Sequence, residues 1–211
     1  MKPSLRESVP EGMNRRNMRR IIIALTTLGL LAGCAGTKFT RLEGDTLVLG
    51  QTTEAKIREH LGKPYSVGSL VKNGETLRLI NYSYSYVPPY AIFLGGDMRI
   101  KTQAFYFYGE KLVGHVYLSS WKDSDKTNFD ETKVGQIKEG TTTVDEVIRL
   151  LGPPSGEYIY PMIEDKDWKA IGYFFFNMHL GLKPTMHEEI LKVSYNKTRV
   201  VTKVEFSAAT S

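Results

Sequence analysis

The chain repeats itself. Residues 49–64 read LGQTTEAKIREHLGKP and residues 139–154 read EGTTTVDEVIRLLGPP, an ungapped match at an offset of 90. The identical pairs are Gly50/Gly140, Thr52/Thr142, Thr53/Thr143, Leu61/Leu151, Gly62/Gly152 and Pro64/Pro154, with Ile57/Val147 conservative. Such a repeat constrains architecture more than any single motif, because both copies must build the same structural unit. The shared residues are those that begin and end a helix. The threonines can accept orphan backbone N–H groups, and Thr143 with Glu146 has capping-box spacing, where the first copy has Lys56. Val144, Val147, Ile148 and Leu151 form one apolar stripe, and Ile57 and Leu61 keep its core in the first copy. Gly62 and Gly152 suit the left-handed position beyond a helix, and the proline two residues later prevents continuation.

After each helix the period changes to two. Residues 77–86 and 170–178 alternate in the manner of strands. Hairpins are predicted for 104–108 with 111–118, around Gly109-Glu110, and for 191–195 with 199–206, around residues 196–198. The polar stretch near 122–128 divides the copies. The expected organisation is a first repeat over 42–122, a linker over 123–130 and a second repeat over 131–211. The expected fold class is α+β, two tandem repeats, each a short helical segment packed on a small antiparallel β-sheet.

The pattern G-x-T-T-x3-[I/V]-x3-L-G-x-P, followed by an aromatic strand and a hairpin, resembles the SmpA/OmlA domain. That family includes the BamE-like small lipoproteins of the outer-membrane protein assembly machinery. The helix-plus-sheet unit also occurs twice in succession in beta-lactamase inhibitor proteins, a precedent for the tandem arrangement. The resemblance implies the fold and the compartment; no binding residue is carried over by it.

Ahead of the repeats stands an export signal. Arg15, Arg16, Arg19 and Arg20 precede an apolar run over residues 21–31, 11 residues long. A membrane-crossing helix needs roughly 20 apolar residues, so cleavage is expected, giving a signal peptide over 1–33. Leu31, Ala32, Gly33 and Cys34 resemble the bacterial lipobox, in which the cysteine thiol receives the lipid. Cys34 is the single cysteine of the sequence, so it can make no internal disulfide, and acylation accounts for it. Residues 34–41 then form a lipidated tether. Ala35, in place of the aspartate that retains lipoproteins at the inner membrane, implies the periplasmic face of the outer membrane. Met13 and Met18 are alternative starts to Met1.

The formal charge of +5 belongs mostly to this leader, which holds six of the 28 basic and two of the 23 acidic side chains. The remainder is nearly neutral, which argues against a nucleic-acid partner. No catalytic or metal constellation is legible. The histidines are His60, His115, His179 and His187, and His187-Glu188-Glu189 lacks the second histidine of a zinc helix. It reads as a solvated loop before a strand. Asp123-Ser124-Asp125 lacks a calcium loop's downstream glutamate. The expectation is a protein that is no enzyme and needs no cofactor or metal.

The distinctive side chains are aromatic. Tyr82, Tyr84 and Tyr86 share one strand face, either as core under the helix or as a tyrosine surface for a protein partner. Pro88, Pro89, Tyr90 and Phe93 extend them into an apolar loop that could dock on the sibling repeat, dip into the membrane or contact a partner. The functional expectation is a membrane-anchored interaction or scaffold module in outer-membrane assembly or maintenance, meeting an envelope protein partner through these residues. The alternative is a ligand-binding or enzyme-inhibitory lipoprotein that uses a concave sheet surface.

Overall fold

A computed structural model describes residues 36–121 and 126–211. The expected signal segment, the lipobox with Cys34, and Asp123-Ser124-Asp125 lie outside the described residues. In chain order the elements are a 3-10 turn Gly44–Thr46, α1 Glu54–Leu61, β1 Ser66–Lys72, β2 Glu75–Tyr86, α2 Ala91–Leu94, β3 Gly96–Tyr108 and β4 Lys111–Ser119. A 3-10 turn Glu131–Gln136, α3 Val144–Leu151, β5 Gly156–Tyr158, β6 Lys169–Leu180, β7 Thr185–Tyr195 and β8 Val201–Thr210 follow.

The repeated helices form for the reasons legible in their sequences. The Thr53 hydroxyl accepts from the Lys56 N–H, and Thr143 makes the full capping box with Glu146. Both helices stop at a glycine with positive φ, +72° at Gly62 and +87° at Gly152. The preceding threonine of each pair ties the segment to the last strand of its own repeat. The Gly50 N–H donates to the Leu112 carbonyl and the Leu112 N–H to that of Thr52; Gly140, Val201 and Thr142 repeat the exchange.

The strands correct the expected fold class. The described residues are mostly β, with 47% of them in strands, and they do not form an α+β pair of helix-on-sheet repeats. One antiparallel sheet of eight strands runs in the order β1 to β8. The reason lies at the repeat boundary. β4 pairs with β5 through Gly114↔Tyr158, His115↔Glu157 and Val116↔Gly156, so the edge backbone groups of one repeat are satisfied by the next. The start of β3 also pairs with the end of β6, through Gly96↔Leu180, Asp97↔His179 and Met98↔Met178. Strands β3 to β6 therefore close into a four-stranded ring. The short helices only cap this sheet.

Alternation along the strands divides burial between two faces. On one, Ile57 of α1 packs with Ile80, Tyr82, Phe105, Phe107 and Leu112. On the same face of the second repeat, Val144, Val147 and Leu151 of α3 pack with Ile171, Tyr173, Leu191, Val193 and Val201. The Tyr82 hydroxyl donates to the Gly62 carbonyl at 2.8 Å, and Tyr173 donates to Gly152 at 3.0 Å. The repeat thus extends into tertiary contacts. On the opposite face, Tyr158, Ile163 and Ala170 collect Tyr106, Met162, Trp168 and Phe174.

Candidate functional site

The residues singled out by sequence separate into three environments. Tyr82 is 3% exposed and belongs to the core under α1, where burial raises its phenol pKa. Tyr84 and Tyr86 lean on Trp121, with ring centroids 5.4 and 6.4 Å away. Lys38 lies over the Tyr84 ring, and Arg99 over Trp121. Pro88 is buried and Pro89 exposed. Tyr90 and Phe93 project outward, in what is a tight turn with one helical coil, α2, and not an extended loop.

This turn has a neighbour that the sequence did not announce. Because Gly96 pairs with Leu180, the β2–β3 connection lies beside the β6–β7 connection, where Leu182 stands 94% exposed. A Cβ at Gly95 would lie 3.1 Å from the His179 ring, and the φ of +82° is one that side chains rarely adopt, so glycine suits the close approach of the two connections. Phe93, Leu94 and Leu182 thereby share one end of the sheet.

A second surface lies on the sheet face away from α1 and α3. Lys72 from β1 and Lys192 and Glu205 from β7 and β8 border the same groove, of about 550 Å³, so the two wings of the sheet approach each other across it. Its floor is Tyr158, Met162, Phe174 and Ile190. The floor exists because of two glycines. A Cβ at Gly114 would lie 2.8 Å from the Tyr158 ring, and one at Gly172 would lie 3.0 Å from it, so the ring occupies the space that side chains on β4 and β6 would fill. Burial pushes the Tyr158 phenol pKa up. At the rim, burial of Glu205 opposes its ionisation, yet Lys192 at 2.7 Å and Lys203 at 3.2 Å hold its carboxyl below the usual range. Lys72 and Asn73 also border an adjoining cavity of about 460 Å³ lined by residues 162–165 and Trp168. Chemically the groove offers apolar area bordered by Lys72 and by the Lys192–Glu205 ion pair. Phe174 lies in the strand read from sequence over 170–178, but a strand face alone does not reveal what lies opposite.

No protein-family model matches the chain, and a comparison with curated proteins finds no match. Among solved structures, the chain is similar to the crystal structure of a candidate beta-lactamase inhibitor protein from Streptococcus mutans. Identity is 13%, over 86% of this chain and 94% of that one, with a TM-score of 0.36. A likeness this distant carries nothing about activity or partners. None of these comparisons shows the SmpA/OmlA family.

The histidines take structural places. His187 stands within β7, not in a loop, between the Thr210 hydroxyl at 2.8 Å and the Glu189 carboxylate at 2.7 Å, and its ring meets Phe175 edge-on. His179 pairs with Asp97 at 2.9 Å across the β3–β6 seam. His115 lies in a polar niche with Gln103 and Glu157, where burial and then Arg41 depress its pKa to about 4. Gln103 clamps the N-terminal segment there, accepting from the Leu42 N–H at 2.9 Å and donating to the Leu42 carbonyl at 2.7 Å.

Proposed function

We propose that this chain is an envelope lipoprotein, tethered through Cys34, that works without catalysis by holding a protein partner in the groove between its sheet wings. The observation that carries the reading is the groove itself, with an apolar floor of Tyr158, Phe174 and Ile190 and a rim bearing Lys72 and Lys192. Such a surface takes an apolar segment with polar flanks, since the floor removes apolar area from water while Lys72 and the Lys192–Glu205 pair at the rim supply direction. It supports the expectation of a concave sheet surface more than that of the tyrosine strand, because Tyr82 is spent on the core.

The anchoring half of the reading is supported by the residues Leu31-Ala32-Gly33-Cys34, and Ala35 favours the outer membrane. Mass measurement of the purified protein is expected to find a chain beginning at an acylated Cys34; a chain with a free thiol there overturns it. For the groove, a photo-crosslinker is placed at Ile190 or at Lys72, with exposed Glu59 of α1 as the control on the helix face. Both groove positions are expected to crosslink one and the same envelope protein, which Glu59 does not reach. Equal yield from Glu59, or none from the groove, rejects the assignment.

A further inference from the structure

We propose that the end of the sheet formed by the β2–β3 and β6–β7 connections seats in a bilayer interface, with Phe93, Leu94 and Leu182 inserted among the lipids. The proposal rests in part on Cys34 being the lipidated residue. Leu182, Leu94 and Phe93 are 94%, 83% and 79% exposed, the highest values among the large hydrophobic side chains of the described residues. A lone exposed leucine is ordinary, but three of these residues gathered on two abutting turns form a patch.

The backbone of the tip suits a dry environment. The Ala91 N–H donates to the Pro88 carbonyl, the Phe93 and Leu94 N–H groups to Tyr90, and the Gly95 N–H to Ala91. A segment entering lipid must satisfy such groups internally, because no water is there to do so. Behind the tip come the groups that a headgroup layer accepts. Tyr86, Tyr90 and Trp121 supply amphipathic rings, and Lys38, Arg99 and Lys183 supply long cationic side chains. Among the described residues, Asp97 brings a carboxylate to this rim, where its partner is His179 at 2.9 Å.

The start of the described chain points to the same end. β1 begins only at Ser66, opposite Asn81, which leaves the last residues of β2 uncovered by β1 on that side. Gly36 bridges there to Tyr84, two residues from the end of β2. Cys34 precedes Gly36 by two residues, a reach of at most about 7 Å. The described chain therefore begins beside the tip, two residues after Cys34 in sequence.

The test uses the full chain, exported and reconstituted into phosphatidylethanolamine–phosphatidylglycerol vesicles, with a polarity-sensitive fluorophore on Phe93→Cys, on Leu182→Cys, or on Glu110→Cys in the turn at the opposite end of β3. The labels at 93 and 182 are expected to shift to the blue and to be quenched by lipids spin-labelled near the headgroup, while the label at 110 stays in water. In the Cys34→Ser background, Phe93→Asp is expected to weaken vesicle partition about tenfold or more, a carboxylate at the interface costing part of what it costs in the bilayer centre. Labels at 93 and 182 that remain as wet as the label at 110 on vesicle-bound protein overturn the proposal. So does photo-crosslinking from position 93 to an envelope protein in place of lipid. The two readings fail separately: a free thiol at Cys34 with quenched tip labels overturns the anchor alone, and an acylated chain with unquenched labels overturns the tip alone.

Discussion

His115 shows what burial does to one side chain. Its imidazole is held neutral well below the ordinary histidine range, down to about 4, because desolvation and then Arg41 both oppose the cation. The unfolded chain takes up the proton near the ordinary value of 6.5, so between about 6.5 and 4 it binds more protons than the folded chain. Stability is therefore full above that window and falls as the solution is acidified through it, by about 3 kcal/mol at most. Denaturant titrations at neutral pH and near pH 4 are expected to differ by this order for the parent chain, and markedly less for His115→Leu. The repeated tyrosines give a second residue-scale outcome. Tyr82→Phe and Tyr173→Phe each remove a hydroxyl that donates to the glycine carbonyl closing a helix. Each is expected to lower stability by about 1 kcal/mol, the net worth of a typical hydrogen bond, as read by the shift in denaturation midpoint at unchanged slope.

At the scale of elements, the two helices share start and stop signals yet differ in their caps. Thr143 and Glu146 satisfy each other's backbone N–H groups, whereas Thr53 makes a single bond of 3.4 Å to the Lys56 N–H. Thr143→Ala is accordingly expected to cost about 1–2 kcal/mol and Thr53→Ala less, measured side by side by urea unfolding. The short strand β5 is the sensitive element of the ring. A Cβ at Gly156 would sit 2.5 Å from the His115 carbonyl oxygen and 3.1 Å from the Tyr158 hydroxyl, so the clash is with backbone and cannot be relieved by a rotamer change. Gly156→Ala is expected to destabilise by about 1–3 kcal/mol and to loosen the groove floor, visible as faster amide exchange along β5 and at its β4 and β6 partners. Reading β1 and β5 from sequence failed for a physical reason. Of β1 only Leu70 is even partly buried, so no alternation marks it, and three residues are too few for β5 to show a period.

For the whole molecule, the decisive contacts cross the repeat boundary. β4 relies on β5 for its second edge, and β3 relies on β6 to close the ring. The two copies are therefore expected to unfold in one cooperative transition. A chain ending at residue 121 should lose ordered tertiary structure and not behave as a free-standing domain, because the backbone of β4 and the buried side of Tyr106 would be opened to water. Calorimetry of the full chain and near-ultraviolet dichroism of the truncated one check this; two separate transitions, or a folded first repeat, would show the units to be independent.

What the sequence by itself determined is local: the duplication, the helix limits set by threonine, glycine and proline, and the long strands whose aromatic alternation follows from half-burial. These are short-range effects, and both copies display them, the first without the glutamate that completes the capping box. The choice between core and surface for the tyrosines was not local. It fell to Tyr82 alone to reach the Gly62 carbonyl, while Tyr84 and Tyr86 met Trp121, whose position depends on where β4 ends. The fusion of two sheets into one, the groove beneath their wings and the pairing of the Phe93 turn with the Leu182 turn were decided only by tertiary structure. Each depends on backbone edges meeting across 40 residues of chain or more, and the preference of an unpaired strand edge for a partner does not say which strand will satisfy it.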